Sequence, residues 1–276
     1  MKLSILLGTA IWATSIVAVP RGSGLSRRIA SRTTRQGAPI DRASGTLAVE
    51  ADNSSNVEYS SNWSGAVLTA PPPGETFSSV VGTFNVPEPK TPAGATSGTY
   101  SASIWAGIDG DTYQNAILQA GVDVTVTKSG SKSTLSYDSW YEWFPNYAIT
   151  IPATQFSFKA NDIITVSITS TTSSKGSITL TNNSTKKSYT QAVTAPSTDA
   201  VLGGQNAEWI VEDYQQNNAL VPFANFGVVN FTSCVAKSAT KSLGTTNAAI
   251  INLKSGQTIH TDVTIPSDTQ VNVQYL

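Results

Sequence analysis

The sequence predicts an all-β fold, an antiparallel β-sandwich, and three observations carry that expectation. From Tyr59 onward, short runs rich in Val, Ile, Thr, Tyr, Phe and Trp recur, with Gly, Pro, Asn and Ser between them. No stretch has the apolar period of a long amphipathic helix, and charged residues make up 13% of the chain where about a quarter is usual. Of the 276 residues about 220 follow an N-terminal extension, enough for one such domain with a sizeable core.

The extension has two parts. Met1-Lys2 precedes an apolar run from Leu3 to Val19 that ends at Pro20, so residues 1–18 read as a secretory signal peptide cut near Ala18. The run is shorter than the roughly 20 residues that span a bilayer, and nothing later approaches that length. We therefore expect a secreted, extracellular protein with no membrane contact after cleavage. Residues 19–55 combine Arg, Gly, Ser and Thr with almost no large apolar side chains, so they cannot fold alone and read as a basic pro-segment. Residues 56–276 remain as the folded domain.

Charge divides the same way. Through residue 57 there are seven basic and three acidic residues, a net +4; from Glu58 onward ten lysines, no arginine and fifteen acids give −5. This favours a cationic inhibitor lying across an anionic cleft over a solvated tail. A folded part without arginine lacks a phosphate-neutralising surface, which argues against nucleic acid as a partner.

Within the domain, strands are expected at Val80–Val86, Ser103–Ile108, Ala116–Val126, Tyr137–Phe144, Asp162–Thr171, Ser177–Thr181, Ala207–Val211, Phe226–Phe231, Ala248–Leu253 and Gln270–Tyr275. Pro71-Pro72-Pro73-Gly74 and the stretch from Pro87 to Pro92 are loops, since proline lacks the N–H that a central strand must donate. Residues two apart on a strand share a face. Asp138, Trp140 and Glu142 therefore lie together, as do Gln119 and Asp123, as do Glu208, Ile210 and Glu212, and as do Trp105, Gly107 and Asp109. Side by side on one sheet, these rows would form a polar groove floored by aromatic rings. Within residues 105–142 the acids Asp109, Asp111, Asp123, Asp138 and Glu142 meet only Lys128 and Lys132, both in a turn. Crowded carboxylates without cationic partners raise one another's pKa and are common at functional sites.

Several chemistries find no support. One Cys, Cys234, excludes an intrachain disulfide, and with one His, His260, the chain cannot supply a Cys/His zinc site. His260 sits in a polar Thr/Ser context that does not suggest a nucleophile's base, and nothing beside Cys234 would activate its thiol. No phosphate-binding loop is present, and Asp109-Gly110-Asp111 lacks the acid a calcium loop needs, because Ala120 stands there. Neither Asp-Thr-Gly nor Asp-Ser-Gly occurs. Chemistry with carboxylates and amides alone survives, either as a glycosidase or as a hydrolase in which one carboxylate activates water. Carboxylates four residues apart on one strand stand roughly 13 Å apart. A same-strand pair is thus too wide for the about 5 to 9.5 Å of a glycosidase, while a pair across adjacent strands stays open.

Five blocks in order carry a resemblance. Ser61-Asn62-Trp63-Ser64-Gly65, Trp105 to Thr112, Ala116-Ile117-Leu118-Gln119-Ala120-Gly121, Asp138-Ser139-Trp140-Tyr141-Glu142-Trp143 and Asn206 to Asp213 are similar to the glutamic peptidases, or eqolisins. The resemblance implies a β-sandwich of two large sheets, a concanavalin-like jelly roll, and a secreted, pepstatin-insensitive acid endopeptidase active on polypeptides without metal or cofactor. It implies Gln119 and Glu212 as the catalytic pair, with Glu212 as general base and acid on water and Gln119 as oxyanion stabiliser. Trp63, Trp105, Asp109, Asp123, Asp138, Trp140 and Glu142 match the family's cleft and its hydrogen-bond network. Residues 19–55 resemble its basic pro-segments and are expected to act as an intramolecular inhibitor of a monomer. This chain departs from the pattern in having Tyr113 where a Cys is common, Ser64 for a common Gly, and Ala120 for a common Thr. The alternative is a carbohydrate-binding or glycan-hydrolysing sandwich in which Trp63, Trp105 and Trp140 stack on sugar rings.

Overall fold

A computed structural model describes residues 34–43 and 57–276. The predicted signal peptide, the rest of the predicted pro-segment and Asn53, one of the five Asn-X-Ser/Thr glycosylation sequons in the sequence, lie outside the described residues. Among those described there is no helix.

Numbered along the chain, the first strands are β1 (Arg35–Gln36), β2 (Val57–Ser60), β3 (Trp63–Leu68), β4 (Ser79–Asn85), β5 (Ser97–Ile108), β6 (Ile117–Ser129) and β7 (Lys132–Phe144). The middle of the chain gives β8 (Ile149–Ile151), β9 (Ile163–Thr172), β10 (Lys175–Asn182), β11 (Lys187–Thr194), β12 (Ala207–Glu212), β13 (Gln215–Gln216) and β14 (Ala219–Leu220). The last are β15 (Val228–Lys237), β16 (Ser242–Leu243), β17 (Ala249–Ser255), β18 (Thr258–Ile259), β19 (Thr261–Ser267) and β20 (Gln270–Tyr275).

Two large sheets form the sandwich. A nine-stranded sheet runs β18-β17-β3-β12-β5-β6-β7-β8, with β2 joining β17 in parallel. An eight-stranded sheet runs β11-β10-β9-β4-β15-β20-β19, with β16 beside β15. Alternation decides which side chains meet between them. Ile104 and Ala106 of β5, Leu118, Val122 and Val124 of β6, and Trp209 and Val211 of β12 share one core with Phe84, Val166, Ile168, Val229, Phe231 and Val273 of the other sheet. The opposite face of the nine-stranded sheet carries a second buried cluster: Trp63, Val67, Trp105, Ile117, Trp140, Ile210 and Ile251. Such an apolar face needs a cover, and part of that cover is Ile40 from the N-terminal segment.

All ten predicted strands are present, but several run further than expected. β5 begins at Ser97 and β7 at Lys132, because their outer halves are Ser/Thr-rich and exposed and so lack the apolar signal. β15 extends to Lys237 through an irregular register between Thr232 and Val235. β3 and β11 were not foreseen: β3 opens with Ser64-Gly65 after its Trp, and β11 has no large aliphatic run. Of the sequon asparagines, Asn62 and Asn182 are buried with their amides hydrogen-bonded, so no glycan fits there in the folded protein, while Asn230 is exposed.

Trp209 links the two sheets. Its ring is fully buried and lies against Gly82, and its Nε1–H donates to the Val81 carbonyl at 2.7 Å. It sits on β12 between Glu208 and Glu212, facing the other way. Trp209→Ala should lower unfolding free energy by about 3–5 kcal/mol. Chemical denaturation measures this, and a loss below about 1 kcal/mol would show that the contact does not hold β12 in place.

Candidate active site

The site lies on the outer face of the nine-stranded sheet, and strand register builds it. Across β12, β5, β6 and β7, three rows stand side by side. The first is Glu208, Gly107, Gln119 and Glu142; the second is Ile210, Trp105, Gly121 and Trp140; the third is Glu212, Ser103, Asp123 and Asp138. Two polar rows thus flank an apolar one. By strand geometry the Cα atoms of Gln119 and Glu212 are roughly 16 Å apart, two strand spacings across and four residues along. Their side chains nevertheless reach neighbouring residues of one bound segment.

That segment is residues 34–43 of the same chain. Ala38 N–H donates to Glu212 Oε1 at 3.0 Å, and Trp105 Nε1–H donates to Glu212 Oε2 at 3.0 Å. The Gln119 amide is packed over Gly37, with Nε2 only 2.5 Å from where a side chain on Gly37 would begin. A residue larger than glycine would have to displace that amide. Gly37 N–H donates to Glu142 Oε2 at 2.9 Å. The Gly37–Ala38 peptide unit therefore lies between the two predicted catalytic side chains. Gln119 itself is fully buried, and both its amide atoms lack a hydrogen-bond partner among the described residues.

Upstream of Gly37, Arg35 fills the anionic part of the cleft. Its Nε and Nη2 donate to the two oxygens of Asp123 at 3.1 and 3.2 Å, its Nη1 to Glu142 Oε2 at 3.0 Å, and its Nη2 to Ser103 Oγ at 2.8 Å. The guanidinium carbon lies 3.6 Å from the Trp140 ring centroid and 4.7 Å from that of Tyr214, so cation–π attraction adds to the ion pairs. Burial would lower the pKa of Arg35, but Asp123, Glu142 and Glu212 outweigh it. β1 also pairs with β13, which places the segment as an added strand on the β13–β14 hairpin. Downstream, Trp63 Nε1–H donates to Ala38 O at 2.9 Å, and Asn62 Nδ2 to Pro39 O at 3.1 Å. Arg42 pairs with Asp111 at 2.6 Å and Glu58 at 2.7 Å.

Three of the five acids that looked unpaired within residues 105–142, Asp111, Asp123 and Glu142, thus find cations outside that stretch, in the basic segment. Eight of the nine predicted site residues gather on this face. Trp63 and Trp105 meet edge to face with centroids 5.1 Å apart, and half-buried Asp138 lies opposite Asp123. Asp109 departs from its predicted row, because β5 ends at Ile108 and Asp109 has φ 71°. Its carboxylate instead accepts the N–H groups of Gly203, Gly204, Gln205 and Asn206 and anchors that loop before β12. Sequence reading did not single out Arg35, Gly37, Asn62, Ser103 and Tyr214. Ser103 was within reach of the alternation argument, two residues before Trp105; Tyr214 follows a strand end, where no period applies.

Burial pushes the carboxyls up. Glu212 rises to about 7, chiefly through burial, against the pull of Arg35, Ala38 N–H and the Trp105 indole. Glu142 is held well above the usual range by burial, although Arg35 and Gly37 N–H oppose it. Asp213 rises to about 8 through burial and the neighbouring Glu212. Among the described residues no cluster of His, Cys, Asp and Glu is fit to hold a metal ion.

Comparison with known proteins shows the family. The Peptidase A4 family matches residues 61–275. The chain belongs to that family. It is 33% identical to Aspergillopepsin-2 of Aspergillus niger over 294 residues, covering all of both chains. It is 33% identical to Scytalidopepsin B of Scytalidium lignicola, covering 98% of this chain and 97% of that one. A crystal structure of scytalido-glutamic peptidase with a transition state analog inhibitor superposes with a TM-score of 0.66 at 34% identity, covering 78% of this chain and 98% of that one. Aspergilloglutamic peptidase from Aspergillus niger gives 0.58 at 37% identity, covering 64% and 99%. The protein is a glutamic peptidase of the eqolisin type.

The raised carboxyl pKa values set a pH dependence of stability. Their folded values exceed the unfolded ones of about 4, so the folded state holds protons that the unfolded state releases. This contribution is complete below about pH 4 and is lost as pH rises through the window reaching Glu212 at about 7 and Asp213 at about 8. The thermal midpoint should fall from about pH 4 to about pH 8; a midpoint that climbs over this interval contradicts the assignment.

Proposed function

We propose that the protein is a secreted acid endopeptidase in which Glu212 and Gln119 perform the hydrolysis, and that residues 34–43 belong to a pro-segment that inhibits it. The observation that carries this reading is the Gly37–Ala38 unit: Glu212 accepts from the Ala38 nitrogen while the Gln119 amide covers Gly37. A substrate bound the same way would offer its scissile nitrogen to the acid and its carbonyl side to the amide.

The chemistry follows from these positions. Departure of residues 34–43 opens the site to water and relieves the burial that lifts Glu212 to about 7. The ionised carboxylate then takes a proton from a water as that water's oxygen attacks the scissile carbonyl carbon. The electron pair of the C=O bond moves to oxygen, where the Gln119 Nε2–H₂ group donates to the developing negative charge. Protonated Glu212 then returns the proton to the leaving nitrogen as the C–N bond breaks. In the segment-bound form, Ala38 N–H and Trp105 Nε1–H occupy both Glu212 oxygens, so the carboxylate holds an amide where it would hold the water. Arg35 clamps the segment in place, and its grip weakens as Asp123 and Glu142 take up protons at low pH.

The sugar-binding alternative gains nothing here. Trp63 and Trp105 pack edge to face instead of presenting a platform.

Assays of the activated protein on denatured haemoglobin at pH 3, with pepstatin present, test the pair. Gln119→Ala should lower kcat by about 100- to 1,000-fold, as loss of one oxyanion donor does. Glu212→Gln should leave almost none of the activity, and near-normal turnover by it would refute the assignment. A synthetic peptide spanning residues 34–43 should inhibit competitively. Its Arg35→Ala form should bind about 100-fold more weakly or worse, because Asp123 and Glu142 are left buried without a cation. Equal inhibition by both peptides would remove Arg35 from the account.

A further inference from the structure

One buried acid in the site has no task in the mechanism above. Glu208 is fully buried, and neither of its carboxyl oxygens has a hydrogen-bond partner among the described residues. Leaving an ionised carboxylate in that state is costly, and burial, then Asp109, then Asp111 hold its pKa well above the usual range. The neighbouring acids are otherwise engaged: Asp109 accepts four backbone N–H groups and Asp111 pairs with Arg42. Glu208 is therefore a neutral carboxylic acid with an O–H to donate.

Register brings one unsatisfied acceptor beside it. Glu208 lies directly across from Gly107, and Gly107 directly across from Gln119. Because Gly107 has no side chain, both neighbours lean into the space above it. A methyl group there would lie 2.8 Å from Glu208 Oε1, 2.8 Å from the Trp105 ring and 3.2 Å from Gln119 Cβ. The Gln119 amide also lacks a partner, and Nε2 is its atom nearest Gly37.

We propose that Glu208 is a positioning residue for Gln119: its carboxyl O–H donates to Gln119 Oε1, directly or across one water, and so turns the Nε2–H₂ group toward the scissile carbonyl. An amide presents a donor face and an acceptor face. Glu142, across from Gln119 on the other side, gives Oε2 to Arg35 and Gly37 and leaves Oε1 without a partner among the described residues. An O–H from Glu208 on the near side is what would mark the acceptor face. With the acceptor end engaged, the donor end is fixed before substrate arrives, which is the preorganisation an oxyanion stabiliser needs. This inference rests on the reading of Gln119 as the oxyanion donor.

Steady-state kinetics of the activated protein on one peptide substrate test it with Glu208→Leu, Glu208→Gln, Gln119→Ala and the double variant Glu208→Leu/Gln119→Ala. Glu208→Leu should lower kcat by about 10-fold at nearly constant KM, less than losing the donor itself. Glu208→Gln, whose amide N–H₂ can also donate to Gln119 Oε1, should recover most of that loss. The double variant should be no slower than Gln119→Ala alone, since there is no longer an amide to orient. Glu208→Met, close to glutamate in size and without a donor, should repeat the kcat loss and serves if Glu208→Leu does not fold. Wild-type kcat in Glu208→Leu beside an impaired Gln119→Ala would overturn this proposal alone, as would losses that multiply in the double variant. Near-wild-type kcat in Gln119→Ala would instead overturn the reading of the catalytic pair.

Discussion

The outer face of the nine-stranded sheet is organised around the cost of burying carboxyl groups. Asp123, Glu142, Glu208 and Glu212 are all nearly or wholly shielded from solvent on that face. Charges in such a place must be neutralised by protons or paired with cations. The structure does both. Arg35 pairs with Asp123 and Glu142, while Glu208, which makes no ion pair among the described residues, has its pKa held well above the usual range by burial. The same acids therefore also hold the basic segment, and in the proposed function a fall in pH would loosen that hold by supplying protons in place of the guanidinium.

The sandwich supplies rigidity that no loop could. The site-bearing residues of β5, β6, β7 and β12 sit in continuous register on central strands whose reverse faces are locked into the core by Ile104, Val122 and Trp209. Trp105 occupies the middle row between the amide and the acid, and its indole fixes one Glu212 oxygen. Long side chains from separated strands can then close on one peptide unit with little freedom to lose on binding.

Much of this was legible in the sequence. A period of two assigned Glu142, Trp140 and Asp138 to one face and Tyr141 and Trp143 to the other, and the two clusters divide that way. The charge division between the arginine-bearing N-terminus and the acidic domain foretold a cationic segment in an anionic cleft. What period could not reach were the residues governed by loop geometry and tertiary register. Asp109 looked like the next step of the Trp105–Gly107 row, but the strand ends one residue earlier and a left-handed backbone turns it to another loop. Arg35 could not be told from its neighbouring arginines, because what selects it is the distance to Asp123 and Glu142. Glu208 appeared as one acid in a row; that it lacks any partner is a property of the packed structure.

The central claim is that one peptide bond of a substrate lies between Gln119 and Glu212. A crystal structure of the Glu212→Gln protein, freed of residues 34–43 and soaked with an intact peptide substrate, tests it most directly. The account predicts a peptide carbonyl oxygen about 3 Å from Gln119 Nε2, with the nitrogen of that same bond turned toward the side chain at position 212. A peptide bound in the cleft with no carbonyl facing Gln119, or with the two side chains on different bonds, would contradict it.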